Sequence, residues 1–122
     1  MIKMLVVDDE IEICDFLKNF FSEKQYEVVT ALNGQDAIKK IQDINPELML
    51  LDVRMPGLSG IEVLRKVRDH NKSVKIIMVT AVENQDLMRL ARELGANDYI
   101  TKPFSLDYLE NNVMEKVAGL AA

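Results

Sequence analysis

The sequence predicts a doubly wound α/β protein of (βα)5 type, with a parallel sheet of strand order 2-1-3-4-5 as the middle of three layers. First, apolar runs alternate five times with segments of helical periodicity, which is typical of right-handed crossovers over a parallel sheet. Second, Leu48–Leu51 is uniformly apolar and lies between Pro46 and Pro56, which favours a strand buried on both faces. Third, Asp52 follows that strand directly, at the edge where open α/β sheets bind ligands.

Length and composition indicate one globular domain covering residues 1–122. The chain is 48% hydrophobic and 29% charged, which is ordinary for such a domain. Its net charge of −5 argues against direct nucleic acid binding, which usually requires a basic face. No apolar run is long enough to span a membrane, and the N-terminus does not resemble a signal peptide. Cys14 is the only cysteine, so no intrachain disulfide can form and a cytoplasmic location is expected.

The first half of the chain predicts three strands and two helices. The strands are predicted over Lys3–Val7, Tyr26–Thr30 and Leu48–Leu51, because these runs are apolar or rich in β-branched residues. The buried face of the first helix is predicted to consist of Ile13, Leu17, Phe20 and Phe21, with Cys14 off its centre. Asn33 and Gly34 mark the start of the second helix, whose apolar residues are Ala37, Ile38 and Ile41. Pro46 ends that helix.

The third helix is predicted after a loop dense in turn residues that ends at Gly60. Its inward residues are Ile61, Leu64 and Val67. Its charged residues are expected to point outward, namely Glu62, Arg65, Lys66 and Arg68. The fourth strand is predicted over Val74–Val79 and ends at Thr80.

The fourth helix is predicted over Glu83–Leu94, with Gly95 ending it in the left-handed region of backbone space. Its apolar residues at helical spacing are Leu87, Leu90, Ala91 and Leu94. Met88 lies off this set and is a candidate for exposure. The fifth strand is predicted over Asp98–Thr101. Ser105 is a suitable N-cap for a last helix with apolar residues Leu106, Leu109, Val113 and Val117.

The predicted strand order brings the polar residues at the strand ends into one crevice. Asp8, Asp9 and Asp52 are expected side by side where the strand order reverses, with Thr80 and Lys102 across from them. Two carboxylates about 4 Å apart repel by ~4 kcal/mol at an effective dielectric constant of about 20, so three together require a cation. Hard oxygen ligands favour Mg²⁺, or Mn²⁺ in its place. The grouping predicts a phosphoryl site with Asp52 as nucleophile.

Four segments carry a resemblance to a known family. They are Val7-Asp8-Asp9-Glu10, Leu51-Asp52-Val53-Arg54-Met55-Pro56-Gly57, Val79-Thr80-Ala81 and Tyr99-Ile100-Thr101-Lys102-Pro103-Phe104. On this ordered set the chain resembles the receiver domains of response regulators (the CheY-like superfamily) of bacterial two-component phosphorelay systems, over essentially its whole length. The resemblance implies a flavodoxin-like fold and a phosphorylation-dependent signalling switch that is not a turnover enzyme.

The resemblance also implies residue roles. Asp52 would accept a phosphoryl group from the phosphohistidine of a sensor histidine kinase or a histidine phosphotransfer protein. Magnesium would be bound by Asp8, Asp9, Asp52 and the backbone carbonyl of Arg54, with Asp8 acting largely through water. The phosphoryl oxygens would be held by Thr80, Lys102 and the backbone amide of Ala81. Lys102–Pro103 would be a cis peptide, and Arg54 and Val82 would set the rate of dephosphorylation.

Signal output is expected at a distance from the crevice. The resemblance implies that Thr80 and Tyr99 form the switch and that Tyr99 reorients on activation. This would change the surface of the fourth helix, fifth strand and fifth helix, where Met88, Thr101 and Tyr108 are candidate contacts. That surface would control an output domain or a target protein.

Two other classes use similar residues. A phosphatase or phosphotransferase with an Asp nucleophile usually carries a second Asp two residues later, but Arg54 occupies that position and cannot serve as a general acid near neutral pH. A flavin-binding flavodoxin needs a first loop rich in Ser, Thr and Gly, whereas Asp8, Asp9 and Glu10 would repel a phosphate there. Turnover of phosphate esters would favour the first alternative, and bound flavin the second.

Overall fold

The computed structural model describes residues 1–81 and 84–121. Its strands are β1 (Ile2–Val7), β2 (Tyr26–Ala31), β3 (Leu48–Asp52), β4 (Lys75–Thr80) and β5 (Asp98–Thr101). The first four helices are α1 (Ile11–Glu23), α2 (Gly34–Ile44), α3 (Gly60–His70) and α4 (Gln85–Glu93). The last helix, α5, has an α-helical turn Leu106–Tyr108, a π-helical stretch Leu109–Val113 and an α-helical stretch Met114–Ala121. All strand pairs are parallel in the order β2-β1-β3-β4-β5, so the predicted fold class is confirmed.

Two hydrophobic cores cover the two faces of the sheet. Successive side chains of a strand point to opposite faces, so Leu5 and Val7 join one core while Met4 and Val6 join the other. The first core is closed by α2, α3 and α4, and the second by α1 and α5. β3 is buried along its whole length, which explains why its sequence is uniformly apolar instead of alternating.

The strand register determines which residues meet at the carboxyl edge of the sheet. Val7 pairs with Leu51, so Asp8 and Asp52 extend from neighbouring strands at the same level. Asp52 in turn pairs with Val79, and Thr80 pairs with Thr101, so Lys102 follows β5 beside the end of β4. The crevice is therefore a direct consequence of parallel pairing.

Local side-chain bonds explain where several helices begin. The side chains of Asn33, Asn84 and Ser105 each accept a hydrogen bond from a backbone N–H in the first turn of the helix that follows. Ser59 and Glu62 form a capping box at the start of α3. These residue types satisfy backbone donors that have no partner inside the helix, so the sequence itself encodes these helix starts.

The structure corrects the predicted burial of residues in α1 and α4. In α1, Cys14 belongs to the core with 2% of its surface exposed, whereas Ile13 is only half-buried. In α4, Met88 is buried at 6% exposure and Leu90 is 39% exposed, the reverse of the prediction. Both helices carry apolar residues on more than one side, so periodicity alone does not determine which side faces the sheet. Glu83, the predicted start of α4, lies outside the described residues.

Arg68 was predicted to point outward and is instead buried at 8% exposure near the C-terminal end of α3. Its guanidinium donates hydrogen bonds to carbonyl oxygens of two chain segments. A buried arginine needs such acceptors, and its long aliphatic stem can pack among apolar residues. No helix in the described parts of the chain combines the length and apolar character needed to cross a bilayer.

Candidate phosphoryl and metal site

Three acidic side chains converge where β1 and β3 end. Asp8, Asp9 and Asp52 each present one carboxylate oxygen within 4.8 Å of the others. Asp8 and Asp52 are buried, at 2% and 4% exposure, whereas Asp9 is exposed at the rim. Such a grouping is unfavourable without a cation, because like charges repel and burial removes the water that would otherwise solvate them.

Lys102 supplies one positive charge to this cluster. Its Nζ lies 2.8 Å from Asp8 Oδ2 and 3.3 Å from Asp52 Oδ2. The backbone amide of Lys102 donates to the Thr80 carbonyl at 2.8 Å, and the Lys102–Pro103 peptide bond is cis. Burial acts to lower the pKa of Lys102, but the hydrogen bonds and charges of Asp8 and Asp52 outweigh it and raise the pKa above its usual value. The ammonium therefore remains charged between the two carboxylates.

The surroundings of Asp52 disfavour its charged form. Burial, followed by the charge of Asp8, raises the pKa of Asp52 to about 6. Lys102 and the backbone amide of Arg54 act in the opposite direction but do not cancel these effects. One ammonium is thus insufficient to balance the carboxylates, and a second cation at this position would favour the charged form of Asp52.

Backbone amides orient the two buried carboxylates. The amide of Glu10 donates to Asp8 Oδ1 at 2.9 Å, and the amide of Arg54 donates to Asp52 Oδ1 at 3.3 Å. In both cases the donor lies two residues after the acid, so the loops that follow β1 and β3 hold the side chains locally. The Arg54 side chain is exposed.

Gly60 supports the site, although the sequence pattern predicted it only as part of a turn. A Cβ at this position would lie 2.0 Å from the carbonyl oxygen of Asp52, which no real side chain tolerates. Its amide donates to the Val53 carbonyl at 2.8 Å, so the start of α3 is held against the end of β3. Glycine at the first position of α3, directly after the Ser59 cap, is the sequence signal that could have indicated this close approach.

Thr80 and Ala81 lie on the far side of the crevice, where β4 ends. Thr80 is buried at 5% exposure where β4 ends, and Ala81 is exposed beside it. Val82 lies outside the described residues. Tyr99 is half-buried on β5, two residue pairs away from Thr80, because Met78 pairs with Tyr99 and Thr80 with Thr101.

Two cationic side chains lie close to the Tyr99 ring. The Arg92 guanidinium carbon lies 5.7 Å from the ring centroid, and Lys116 Nζ lies 5.5 Å from it. The Tyr108 hydroxyl accepts a hydrogen bond from the Thr101 amide at 3.0 Å, which links α5 to β5. Met88, proposed above as an exposed contact, is buried and lies beneath this surface instead of on it.

The donor set fits a hard divalent cation. Three carboxylates and one ammonium leave two negative charges at the cluster, and every acidic ligand atom is oxygen. Magnesium and manganese prefer such ligands, whereas zinc and copper favour nitrogen and sulfur. Cys14, the only cysteine in the sequence, donates its thiol to the Asp8 carbonyl at 3.3 Å and is not part of the carboxylate cluster.

A crevice of acids and one lysine at the carboxyl edge of a five-stranded parallel sheet defines a class of signalling domain. Residues 4–114 match the model of the response regulator receiver domain, so this chain belongs to that family. Domains of this family are phosphorylation-dependent signalling switches, not turnover enzymes, and they work with a histidine kinase and an output domain. They bind a divalent metal at an acidic pocket, which Asp8, Asp9 and Asp52 form here.

A curated relative is similar in sequence, and solved structures are similar in both sequence and fold. The alkaline phosphatase synthesis transcriptional regulatory protein PhoP of Bacillus subtilis is 44% identical over 103 residues, which cover 84% of this chain and 43% of PhoP. The chain thus spans less than half the length of that relative. TrrA of Thermotoga maritima, solved in complex with Mg²⁺–BeF, is 39% identical with a TM-score of 0.85 over 98% of this chain and 99% of its own. Chemotaxis protein CheY4 of Vibrio cholerae is 30% identical with a TM-score of 0.87, covering 94% of this chain and 98% of its own.

Proposed function

We propose that residues 1–122 form one cytoplasmic receiver domain in which Asp52 accepts a phosphoryl group from a phosphohistidine. The donor is a sensor histidine kinase or a histidine phosphotransfer protein. The observation that carries the proposal is the position of Lys102, whose Nζ is 2.8 Å from Asp8 and 3.3 Å from Asp52. Asp52 thereby lies between a carboxylate that can bind a metal and a cation that can bind a phosphoryl oxygen.

In the proposed transfer, an Asp52 carboxylate oxygen attacks phosphorus and forms an acyl phosphate. The bond from phosphorus to the donor imidazole nitrogen breaks, and its electron pair remains on the imidazole, so nothing is oxidised or reduced. Lys102 shifts from Asp52 to a phosphoryl oxygen without leaving the crevice. The Thr80 hydroxyl and the Ala81 backbone amide donate to the other oxygens, which is favourable because preorganised donors require little reorganisation.

Asp8, Asp9, Asp52 and the backbone carbonyl of Arg54 would hold Mg²⁺, or Mn²⁺ in its place. A bound divalent ion supplies positive charge that offsets the carboxylates and the incoming phosphoryl oxygens. Asp8 would act largely through a water molecule, which suits an acid already bonded to Lys102 at 2.8 Å. Arg54 and Val82 are proposed to set the lifetime of the acyl phosphate.

The donor docks beside the crevice, on an apolar cleft between α1 and the loop from β5 to α5. This cleft has a volume of about 430 Å³, and its lining includes Ile13, Phe16, Lys102 and Phe104. Ile11 and Leu106 are 55% and 60% exposed, which extends the apolar surface around it. A four-helix or similar helical domain carrying the phosphohistidine can cover these side chains while its imidazole reaches Asp52.

The output proceeds through the surface of α4, β5 and α5. Phosphorylation draws the Thr80 hydroxyl toward the phosphate, and Tyr99 turns inward, away from Arg92 and Lys116. A complete shift between two states needs ~5.5 kcal/mol of differential stabilisation. One hydrogen bond to a charged group contributes about 1.5–3 kcal/mol, so Lys102 and the loop after Thr80 must contribute as well. An output domain or a target protein reads the altered surface.

The proposal is tested with a small phosphodonor such as acetyl phosphate in the presence of Mg²⁺. We expect one base-labile phosphoryl group per wild-type chain by intact-mass spectrometry, and a rate at least about a hundredfold lower in Asp52→Asn. Asp43→Asn, an exposed acid on α2, is the matched control and should label as wild type. Wild-type labelling of Asp52→Asn would overturn the assignment, and continuous turnover of phosphate esters would favour a phosphatase instead.

A further inference from the structure

Arg68, a buried arginine outside the acidic crevice, connects the end of α3, the segment after α4 and, through Asn97, the start of β4. The Arg68 Nε and Nη2 atoms both donate to the Gly95 carbonyl, at 3.0 and 2.8 Å. Nη1 donates to the Asn71 carbonyl at 3.0 Å, and Nη2 also donates to Asn97 Oδ1 at 3.1 Å. We call Arg68, Asn71, Gly95 and Asn97 the Arg68 cluster.

The charge of Arg68 is balanced by helix ends instead of by an acid. Among residues 1–81 and 84–121, no carboxylate forms an ion pair with it. Asn71 is the C-cap of α3, and Gly95 follows the C-cap of α4, so the guanidinium lies at the C-terminal ends of both helices. Free carbonyls and the helix macrodipole make such ends negative, which favours a cation there.

Asn97 extends the Arg68 cluster to the beginning of β4. Its Oδ1 accepts from the Ile76 amide at 2.8 Å, and its own amide donates to the Ile76 carbonyl at 2.8 Å. Gly95 has φ +111°, and a Cβ there would lie 2.8 Å from Arg68 Nε, so the close approach requires glycine. The end of α4 and the start of β4 are thus fixed to α3 at one point.

The other end of the β4–α4 unit lies at the phosphoryl crevice. β4 ends at Thr80, and α4 begins at Gln85 after the Asn84 cap. Between these two ends, only Met88 and Ala91 of α4 are buried. A helix with two buried residues is held weakly along its length, so the contacts at its ends determine how it moves.

We propose that Arg68 is a positioning residue that fixes the C-terminal end of α4, so that a change at Thr80 tilts the helix about this end. This inference rests on the proposed function only for the source of the change, which is the phosphoryl group on Asp52. The N-terminal end of α4 then moves most, and the surface near Asn84 and Gln85 responds more strongly than the surface near Gly95.

The role of Arg68 in fixing the C-terminal end of α4 is tested without any phosphoryl group, by amide hydrogen exchange of the unmodified protein. In Arg68→Gln we expect the Ala96 and Asn97 amides to exchange about tenfold faster or more, while amides in the centre of β3 stay within about twofold. Arg65→Gln removes an exposed arginine of the same helix and should leave all of these amides unchanged. Arg68→Lys keeps the charge without the planar fork and should restore protection only in part.

The tilt of α4 about its C-terminal end is tested by amide NMR with Mg²⁺ and beryllofluoride, a mimic of the phosphoryl group. In the wild type we expect shifts at residues 84–88 of α4 and small shifts at residues 95–97; in Arg68→Lys the shifts at 95–97 should grow to match those at 84–88. Arg68→Lys and Asn97→Ser are the variants to use if Arg68→Gln does not fold. If their amide exchange rates and their chemical shifts at residues 95–97 equal those of the wild type, the inference is overturned. A wild type that fails to bind beryllofluoride would refute the proposed function, while the exchange comparison would still decide whether Arg68 fixes the C-terminal end of α4.

Discussion

Asp52 is buried beside a second carboxylate, and the rise of its pKa to about 6 reflects that position. Lys102 offsets part of the repulsion by bonding to Asp8 and Asp52. The same ammonium competes with a metal ion for these carboxylates, since both bind their oxygens. Lys102 therefore has two opposed effects: it stabilises the metal-free crevice, and it weakens metal binding.

Replacing Lys102 by Met should make Mg²⁺ bind more tightly. We expect the affinity to rise about tenfold, equivalent to ~1.4 kcal/mol, because the competing positive charge is lost while the carboxylates remain. Isothermal titration calorimetry measures this directly. Lys116→Met is the control, since its ammonium bonds to Asp98 at 3.0 Å, outside the crevice. Equal or weaker Mg²⁺ binding in Lys102→Met would show that Lys102 does not compete.

Cys14 should be unreactive in the folded protein. Its side chain is 2% exposed, and burial, followed by the charge of Asp8, raises the pKa of the thiol to about 11. The thiol is thus protonated and inaccessible at pH 8, whereas an unfolded chain would have an ordinary thiol. We expect labelling with Ellman's reagent to follow global unfolding and to reach one thiol per chain in guanidinium. Rapid labelling under native conditions would contradict the buried position.

At the scale of elements, the crevice depends on how closely β3 and α3 approach each other. Gly60 lies against the Asp52 carbonyl, and the Ser59–Glu62 capping box fixes where α3 begins. The loop between β3 and α3 is therefore held at both ends. This restricts the backbone that carries Asp52 and the Arg54 amide.

Gly60→Ala should destabilise the fold by ~1–3 kcal/mol, because a Cβ would lie 2.0 Å from backbone that cannot easily move. Gly119→Ala provides the control on another helix, where a Cβ meets nothing within 4 Å. That change should stabilise by about 0.5–1 kcal/mol through helix propensity. Chemical denaturation of the two variants gives both values. A Gly60→Ala protein as stable as wild type would mean that β3 and α3 are not in close contact.

At the scale of the whole molecule, metal binding is linked to folding. The three acids come from two separate chain segments and meet only when β1 and β3 pair. A cation that binds this arrangement does not find it in the unfolded chain, so it stabilises the native state.

Magnesium should raise the free energy of unfolding by about 2.7 kcal/mol at a free concentration about 100 times its dissociation constant. Asp9→Ala removes the exposed ligand without disturbing the buried pair and should abolish this stabilisation. Asp43→Ala, on the exposed side of α2, should retain it. Thermal melts with and without millimolar Mg²⁺ provide the comparison. Wild-type melts that do not respond to Mg²⁺ would contradict a metal site at this crevice.

The sequence was sufficient to predict the strand order and the grouping of the acids with Lys102. Parallel strands must end at the same edge, and uniformly apolar β3 must lie inside the sheet, so Asp52 could only extend into the crevice. The start of the last helix was also predictable, because Ser105 makes a local hydrogen bond that needs no tertiary partner.

Tertiary packing alone decided which residues fill the space between elements. Met88 is buried and Leu90 exposed because the rotation of α4 follows from its fit to the sheet, which a helix with apolar residues on several sides does not specify. Arg68 is buried because carbonyls from α3 and from the segment after α4 converge on it. Gly60 is required because β3 and α3 nearly touch. Helix caps and strand order depend on residues near each other in sequence, so the sequence predicts them. Close contacts between distant segments form only in the folded molecule, so the sequence pattern does not reveal them.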